Sequence, residues 1–326
     1  MDKKLLKEVV KSFGTIKTIV IGDIMMDQFI WGKVSRISPE APIPVVDVQK
    51  ESMMLGGAGN VASNLISLGA RVLLCGVVGH DAMGRDIVHE LKRRGCTAEG
   101  IIFEKNRPTT VKTRVVAHGQ QVVRFDREQR AEIKEETADQ ILSFVQKNLS
   151  DTDAVIVSDY SKGVVCAGLM DKLRPVFNRR KVIWAVDPKT RDVKMFRGAT
   201  IFTPNQNEAE IISGIRIGSE ESLRMAGDRI LRLLNAKAVL VTRGDAGMAL
   251  FEKDGELFTI PTVAKEVYDV TGAGDTVIAA MALGLAAGLK TSQAAILANF
   301  AAGIVVGKIG TATVRPEELE AAVAAG

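Results

Sequence analysis

Residues 153–159 read DAVIVSD, a short apolar run with a carboxylate at each end. Because the run is continuously apolar rather than alternating, we expect a strand that is buried on both faces of a sheet. Similar runs, separated by segments with helical periodicity, occur at residues 15–23, 71–79, 181–188, 199–205 and 237–244. This alternation predicts an α/β fold with a doubly wound, mostly parallel sheet and helices on both faces.

Polar residues follow the apolar runs of the predicted sheet. The ends of the runs read GD (22–23), SDY (158–160), DPK (187–189), TPN (203–205) and TRG (242–244). In open parallel sheets, ligands bind beyond the carboxyl ends of the strands. The sequence therefore predicts a functional site along that edge.

Two segments depart from this pattern, at residues 28–52 and 109–128, where apolar residues alternate with polar or basic ones. Such alternation is typical of antiparallel strands with one solvated face, and it predicts a small inserted antiparallel β lid. No internal repeat or Ser/Gly-rich linker divides the sequence, so we expect a single domain over residues 1–326. Apolar positions on exposed lid strands also predict a homodimer.

Composition excludes several classes of protein. The 43 basic and 39 acidic residues leave a net charge of +4 without any block of like charges, which argues against a nucleic-acid partner. The longest apolar run, residues 277–289, is too short to cross a membrane. Cys75, Cys96 and Cys166 are widely separated and set among apolar neighbours, as expected for reduced thiols in the core of a cytoplasmic protein.

Residues 269–277, DVTGAGDTV, precede a long apolar helical segment. Glycines let main-chain amides approach a ligand, and the start of a helix attracts anions. A carboxylate at this position would compete with an external anion for the start of the helix. The two can coexist if Asp275 faces a substrate hydroxyl while the amides of Ala273, Gly274 and Asp275 itself bind a phosphoryl group during its transfer. The alternative is that Asp275 simply caps the helix.

DVTGAGDTV resembles the signature of the ribokinase-like (PfkB-type) sugar kinases, and residues 56–84, GGAGNVASNLISLGARVLLCGVVGHDAMG, resemble that family's N-terminal signature. The resemblance covers essentially the whole chain. Four shorter stretches resemble the D-glycero-D-manno-heptose-7-phosphate kinases of bacterial ADP-heptose synthesis: SRISPEAPIPVV (35–46), SDYSKG (158–163), TPNQNEAE (203–210) and VVGKIGTATV (305–314). In many such relatives the kinase is joined to a nucleotidyltransferase, but no H-x-G-H element occurs in this sequence.

The resemblance implies an ATP-dependent kinase that phosphorylates the C1 hydroxyl of heptose 7-phosphate during lipopolysaccharide precursor synthesis. Two alternatives remain open. One is a kinase of the same family for another sugar or sugar phosphate, such as ribose, fructose or a ketohexose phosphate. The other is a nucleotide-binding or dinucleotide-binding regulator without kinase activity.

Transferred residue by residue, the resemblance makes Asp275 the catalytic base and Gly272, Ala273 and Gly274 the anion hole. It assigns ATP binding to Asn205, Gln206, Asn207, Glu208, Thr242, Gly244 and Asn299. Glu208 would hold Mg²⁺ through water, which suits a metal that prefers oxygen ligands. Asp269 and Thr271 match positions that bind a monovalent cation such as K⁺ in several relatives, although both also fit an ordinary turn between a strand and a loop.

On the sugar side, the resemblance assigns contacts with hydroxyl groups to Asp27, Gly56, Gly57 and Asn60. We expect Asp27 to follow the first strand directly and Asn60 to begin a helix, so that both face one cleft. Basic residues that could bind the phosphate of the sugar are Arg36, Lys112, Arg114, Arg124, Lys162 and Lys189. Each of them alone also fits a solvated surface charge, but together they favour an anionic substrate.

Overall fold

The structure is a computed structural model that describes residues 2–189, 192–253, 255–264 and 266–326. Its strands are β1 (Lys17–Ile37), β2 (Pro44–Gly57), β3 (Arg71–Gly79), β4 (Thr97–Glu104), β5 (Thr110–Ala117), β6 (Gln120–Arg127), β7 (Ala154–Ser158), β8 (Ile183–Asp187), β9 (Ile201–Phe202), β10 (Ala238–Thr242), β11 (Met248–Glu252) and β12 (Phe258–Ile260). Its α-helices are α1 (Lys3–Ser12), α2 (Ala58–Ser67), α3 (Ala82–Arg93), α4 (Glu135–Asn148), α5 (Ala167–Arg180), α6 (Gln206–Ser213), α7 (Glu220–Leu234), α8 (Ala273–Ala286), α9 (Thr291–Val305) and α10 (Pro316–Ala325).

The main sheet has the strand order β12-β11-β10-β9-β8-β7-β1-β3-β4. Every neighbouring pair from β10 to β4 is parallel, and β11 and β12 add an antiparallel edge. The mostly parallel, doubly wound sheet predicted from the sequence is therefore confirmed. Because β1 lies between β3 and β7, the connections leave the main-sheet half of β1 on opposite sides, and a reversal of this kind favours ligand binding beyond the carboxyl ends of the parallel strands, here near Asp23 and the strands that follow β7.

The core is divided by the sheet into two apolar layers. Along β1, Ile19 and Ile21 pack in one layer and Val20 packs in the other, as expected when successive side chains point to opposite faces. Helices α1, α2, α3, α8, α9 and α10 cover the face with Val20, and helices α4 to α7 cover the other face. Burying each such aliphatic side chain stabilises the fold by about 1.5–3 kcal/mol.

Several predicted strand bounds require correction. The first strand was expected to end at Asp23, but β1 continues to Ile37 because its outer half forms part of the lid. Strand β9 is much shorter than the predicted run 199–205. The sequence analysis did not identify β4, β11 or β12, which occupy the edges of the sheet; β4 and β12 have interrupted burial.

The lid is a second sheet with the order β2-β1-β5-β6, built from the outer half of β1 and three further strands. The pairs β1–β2 and β5–β6 are antiparallel, as expected, but β1 and β5 run parallel. The prediction of a purely antiparallel lid was therefore wrong at this pair. Lid pairing starts at Ile24 and Met25, so the first lid segment begins earlier than the predicted residue 28.

The three cysteines lie in the core, as predicted from the sequence. Cys75, Cys96 and Cys166 are buried free thiols. Among the helices formed by the described residues, none has both the length and the apolar character needed to span a membrane.

Candidate active site

A pocket of about 750 Å³ lies at the carboxyl ends of the parallel strands, beside the start of helix α8. Predicted residues that line it are Lys189, Asn205, Glu208, Thr242, Gly244, Gly272, Ala273, Gly274 and Asn299. Gln206 and Asn207 lie outside it, because they follow Asn205 on helix α6 and face away. The Gln206 side chain donates instead to the carbonyl of Ile217 (3.4 Å), and Asn207 is exposed.

Asp275 lies in the first turn of α8 and is only 2% exposed. Its Oδ2 accepts a hydrogen bond from Asn60 Nδ2 (2.7 Å), and its Oδ1 accepts one from the hydroxyl of Tyr160 (2.8 Å). The N-cap residue of α8 is Gly272, so Asp275 does not cap the helix. Burial raises the pKa of Asp275 to about 6, although the two donors and Lys189 act in the opposite direction.

The glycines of this loop have different physical requirements. Gly272 has φ +80°, and a Cβ there would lie 2.5 Å from Asn60 Nδ2, so a side chain would displace the partner of Asp275. A Cβ on Gly274 would meet no protein atom within 4 Å. The N–H of Ala273 donates to the carbonyl of Val270 (3.2 Å), whereas within the described residues the N–H groups of Gly274 and Asp275 have no acceptor. Two amides, rather than the predicted three, are free for an anion.

Asn60 belongs to a buried polar chain that joins α2 to α8. Its Oδ1 accepts from Asn64 Nδ2 (3.3 Å), and Asn64 Oδ1 in turn accepts from the hydroxyl of Thr276 (2.9 Å). These bonds fix which end of each amide faces its neighbour. Asn64 escaped the sequence analysis, although its position four residues after Asn60 places both on one side of a helix.

Asp23 organises the loop after β7. It is buried, and its carboxylate accepts hydrogen bonds from the main-chain N–H groups of Tyr160 (2.8 Å), Lys162 (3.1 Å) and Val164 (3.0 Å). Burial raises the pKa of Asp23, and the three donors counteract the rise. Asp23 and Tyr160 lie in the polar strand ends GD and SDY of the predicted functional edge, but neither was assigned a role, because their partners are far apart in the sequence.

Asn205 and Glu208 begin helix α6 with a reciprocal capping box. The Glu208 N–H donates to Asn205 Oδ1 (2.9 Å), and the Asn205 N–H donates to Glu208 Oε2 (2.8 Å). The other oxygen of Glu208 accepts from Lys189 Nζ (2.6 Å). Burial lowers the pKa of Lys189, but the charges of Asp187 and Glu208 outweigh it, so the pKa is raised and the ammonium persists.

Asp187, at the end of β8, lies in the predicted polar end DPK, but it was not among the predicted site residues. It lines the pocket, is 3% exposed, and its Oδ2 has no hydrogen-bond partner within the described residues. Burial raises its pKa to about 7, while Lys189 lowers it. An unpartnered carboxylate oxygen close to Glu208 fits Mg²⁺, a hard cation that keeps several waters. No cluster of three or more His, Cys, Asp or Glu capable of holding a metal occurs in the described part of the chain, so water or phosphate would complete the shell.

Asp269 and Thr271, the predicted monovalent-cation residues, form a turn. Asp269 Oδ1 accepts from the Thr271 N–H (2.9 Å), and Oδ2 accepts from the Gly310 N–H (2.9 Å). Burial of Asp269 acts to raise its pKa, but these donors outweigh it and the pKa is lowered. These hydrogen bonds are those of an ordinary turn between a strand and a loop, the alternative that the sequence left open for Asp269 and Thr271.

Asp27 lies within β1 and not after its end, which corrects the expected position. It is buried and pairs with Arg114 (2.5 Å). A Cβ on Gly56 would lie 2.2 Å from Asp27 Oδ2, and one on Gly57 would lie 2.4 Å from the carbonyl of Asp23. The two glycines therefore let β2 pass close to these acidic residues.

The lid register places the predicted cations together. Asp27 is opposite Lys112, and Phe29 is opposite Arg114, which is in turn opposite Arg124. These side chains share one face of the lid, because paired residues point the same way. The pKa of Lys112 is lowered by burial and by the charges of Lys162, Arg124 and Arg114, while Asp27 raises it.

Each of these cations already has a protein contact. The Lys112 ammonium lies 5.1 Å from the centre of the Tyr160 ring, and the Arg114 guanidinium lies 5.3 Å from that of Phe29. Arg124 pairs with Asp126 (2.6 Å), and Lys162 pairs with Glu128 (2.6 Å).

Arg36 and Lys189 do not belong to this cationic face. Arg36 is exposed near the outer end of β1, and the extended strand places it about 30 Å beyond Asp27. Lys189 instead pairs with Glu208 at the main pocket.

Comparison with known proteins adds independent information. Residues 15–318 match the sequence profile of the family described as pfkB family carbohydrate kinase. The "Bifunctional protein HldE" of Trichlorobacter lovleyi is 46% identical over 99% of this chain and 66% of that protein. The protein of the same name from Geobacter sulfurreducens is 45% identical over 98% of this chain and 65% of that protein. The chain thus spans just under two thirds of the length of these relatives.

Two solved structures share the fold at low sequence identity. An Escherichia coli phosphofructokinase-2, in complex with substrates and products, has a TM-score of 0.80 and 18% identity, covering 95% of this chain and 99% of that one. The ribokinase of Arabidopsis thaliana, complexed with ribose and ATP, has a TM-score of 0.75 and 18% identity. The match covers 94% of this chain and 98% of that ribokinase. These similarities confirm the ribokinase-like fold.

Proposed function

This chain belongs to the pfkB family of carbohydrate kinases, and we propose that it transfers the γ-phosphoryl group of ATP to the C1 hydroxyl of D-glycero-D-manno-heptose 7-phosphate. The product would be the 1,7-bisphosphate, a precursor for ADP-heptose and the lipopolysaccharide core. The observation that carries the proposal is the buried carboxylate of Asp275, whose own N–H and that of Gly274 have no acceptor within the described residues. Asp275 is hydrogen-bonded to Tyr160, which lines the main pocket and also contacts Lys112 of the lid.

Asp275 is suited to be the base of this transfer. With a pKa of about 6 it is ionised at neutral pH, and each carboxylate oxygen has only one donor, which leaves acceptor capacity for a sugar hydroxyl. The N–H groups of Gly274 and Asp275 would stabilise charge on the transferred group, as would the ammonium of Lys189.

ATP would occupy the pocket of about 750 Å³. Asp187 and Glu208 would hold Mg²⁺ there, the latter through water, and the ion would neutralise phosphate charge. Asn205, Thr242, Gly244 and Asn299 line the same space. We keep K⁺ near Asp269 and Thr271 as a proposal that a titration of activity with KCl tests; turnover independent of K⁺ would exclude it.

The cationic lid face supports a phosphorylated sugar rather than a neutral one. Lys112, Arg114 and Arg124 share this face, and Lys162 is close enough to lower the pKa of Lys112. Arginine suits a terminal phosphate because its planar fork binds two oxygens at once. The similarity to proteins named HldE supports the choice of heptose 7-phosphate over other sugar phosphates.

We further propose that the chain acts in the cytoplasm, where ATP and sugar phosphates are available, and that two copies associate through their lids. The outer lid face supports this dimer, because large apolar side chains on it are exposed, among them Met53, Val123 and Phe125. Such a patch is typical of a protein interface.

An ADP-release assay across a panel of acceptors tests the substrate. We expect the highest kcat/KM with heptose 7-phosphate, and values lower by at least about a hundredfold with fructose 6-phosphate, ribose and fructose, since buried polar groups left unpaired discriminate strongly. A higher kcat/KM with any of the other sugars would replace the proposed substrate. Thermal stabilisation by NAD but not by ATP would contradict a kinase.

A further inference from the structure

Tyr160 is a partly buried residue that the mechanism above leaves without a role. It stands in the loop after β7, and its hydroxyl donates to Asp275 Oδ1 at 2.8 Å. We propose that Tyr160 is a positioning residue, which holds the carboxylate of Asp275 in the orientation needed to accept the proton of the sugar hydroxyl. This inference rests on the proposed function, in which Asp275 is the base.

The geometry around Asp275 supports a positioning role. Asn60 binds one carboxylate oxygen from helix α2, and Tyr160 binds the other from the loop after β7. A carboxylate with a single donor rotates about its Cβ–Cγ bond, because this terminal torsion is soft. Donors from two separate elements, one on each oxygen, fix the plane of the group and the direction of its remaining lone pairs.

Tyr160 itself is held on both its main chain and its ring. Its N–H donates to the buried Asp23 (2.8 Å), which also binds two other amides of the same loop. The ammonium groups of Lys112 and Lys189 lie 5.1 and 5.6 Å from the centre of its ring. These cation–π contacts come from the lid and from the end of β8, so the ring is located between the sugar side and the nucleotide side.

The hydroxyl of Tyr160 stays a donor at every working pH. Burial raises its pKa well above the usual value, and the charges of Asp275 and Asp187 raise it further. The phenol therefore does not compete with Asp275 for the substrate proton. Its contribution is a fixed O–H group that stabilises the charged form of the base.

Removal of this donor must change the proton affinity of the base. The groups that face Asp275 are Asn60 from α2, Tyr160 from the loop, Lys189 and Asp187 from the end of β8, and Asp27 from β1. Of these, the donors and Lys189 favour the ionised form, whereas Asp27 and Asp187 oppose it. Loss of the tyrosine hydroxyl leaves fewer groups that favour ionisation, so the pKa of Asp275 rises.

Tyr160→Phe tests the inference, because it removes one oxygen and retains the ring with both of its cation contacts. We expect kcat to fall about 10- to 100-fold, the range that a hydrogen bond to an ionised group spans as an equilibrium constant, while KM for ATP stays within about twofold. The acid limb of kcat/KM, which reports the free enzyme, should move upward by roughly one pH unit. Unchanged kcat together with an unchanged acid limb would overturn the inference.

Two further variants separate this inference from its premise. Tyr268→Phe is the matched control, since Tyr268 is 67% exposed and its hydroxyl donates to Glu266 (2.9 Å); we expect wild-type kinetics.

In an Asp275→Asn background, Tyr160→Phe should change residual turnover by less than about twofold, because no base remains to be positioned. Near wild-type turnover of Asp275→Asn alone would contradict the proposed function. If Asp275→Asn is inactive but Tyr160→Phe is silent, only the positioning role fails. Thermal unfolding checks that each variant is folded.

Discussion

Asp275 combines burial, which favours a neutral carboxyl, with hydrogen-bond donors that favour a charged one. The balance leaves its pKa at about 6, so the group is ionised at neutral pH yet remains a better base than an exposed aspartate. Asp187 is also buried, but its Oδ2 has no hydrogen-bond donor within the described residues, and its pKa is higher, at about 7. The two residues therefore make different predictions.

Asp275→Asn should retain binding of ATP and sugar phosphate while turnover falls by several orders of magnitude, because both the base and its charge are lost. The size of the side chain is conserved, and its one amide oxygen can still accept from Asn60, while the Tyr160 hydroxyl can rotate to accept from the new NH2 group. Isothermal titration measures the two affinities, and an ADP-release assay measures turnover. Turnover within about tenfold of wild type would remove Asp275 from the role of base.

Asp187→Asn should stabilise the fold at pH 7.5 by about 1–3 kcal/mol, because a buried and incompletely bonded charge is removed, while the Mg²⁺ concentration needed for activity rises. The pKa of Asp187 is raised on folding from 3.8 to about 7, so its ionisation destabilises the fold increasingly as pH rises between these two values and by a constant amount above the higher one. The gain should therefore shrink as pH falls through 7 and vanish near pH 4, where the carboxyl is protonated in both states. Urea unfolding at several pH values measures this. A gain independent of pH would contradict the buried charge as its cause.

At the residue scale, local motifs predicted the site only in part. The glycines and Asp275 stand next to each other in sequence, so their chemistry could be inferred from spacing. Tyr160 and Asp23 could not be found this way, because each meets its partners across more than a hundred residues. Asp187 is in the predicted DPK end of a strand, but only the three-dimensional structure reveals that one of its oxygens lacks a partner.

At the scale of elements, the start of helix α8 packs closely against helix α2. The N-cap residue of α8, Gly272, lies so near the side chain of Asn60 on α2 that any larger residue would clash with it. Gly272 has a positive φ and touches Asn60, whereas Gly274, in the first turn of the same helix, faces open space. The two glycines are alike in sequence but different in structural requirement. A substitution at Gly272 should therefore affect mainly the stability of the fold, and one at Gly274 mainly the binding of a ligand in the pocket.

Gly272→Ala should destabilise the protein by about 1–3 kcal/mol, because the new Cβ is strained at this φ and clashes with Asn60. Turnover should fall as well, since Asn60 holds Asp275. The matched variant Gly274→Ala should leave the free energy of unfolding within about 0.5 kcal/mol of wild type and raise KM for ATP, as its methyl group enters the pocket. Denaturant unfolding and steady-state kinetics measure both. Equal stability of the two variants would refute the distinction.

The length of β1 could not be predicted because its environment changes along the chain. Residues 19–22, IVIG, are apolar, as in a strand covered on both faces, and apolar residues alternate with polar or basic ones further along, as in a lid strand with two different faces. A change of pattern was interpreted as the end of a strand. In the structure it marks a change of neighbours along one unbroken strand.

At the scale of the whole molecule, the two faces of the lid differ in chemistry. The register places Lys112, Arg114 and Arg124 on the inner face, and it places Val123 and Phe125 on the outer one. Alternation within each strand thus gives both a cationic surface, the proposed site of the sugar phosphate, and an exposed apolar surface. The sequence contained this alternation, but the strand partners that assemble it were visible only in the structure.

Val123→Asp combined with Phe125→Asp should convert the proposed dimer into a monomer, because charges on the outer lid face oppose burial of that surface. Sedimentation velocity measures the mass of the particle in solution. Met225→Asp is the matched control: Met225 is also exposed but lies on helix α7, far from the lid in the fold, and should leave the mass unchanged. A wild-type protein that sediments as a monomer would exclude lid-mediated pairing.

The continuity of β1 constrains how the lid moves. Up to Asp23 the strand is bonded to β3, and from Ile24 and Met25 it is bonded to β2 and β5 instead. Because β1 is unbroken, we expect the lid to move by bending of the strand where its neighbours change, rather than about a flexible linker. That flexing point is next to the Asp23 carboxylate, which anchors the loop that carries Tyr160. If the proposed sugar phosphate binds under the lid, we expect any bending of β1 there to reach, through Asp23, the loop whose Tyr160 is bonded to Asp275.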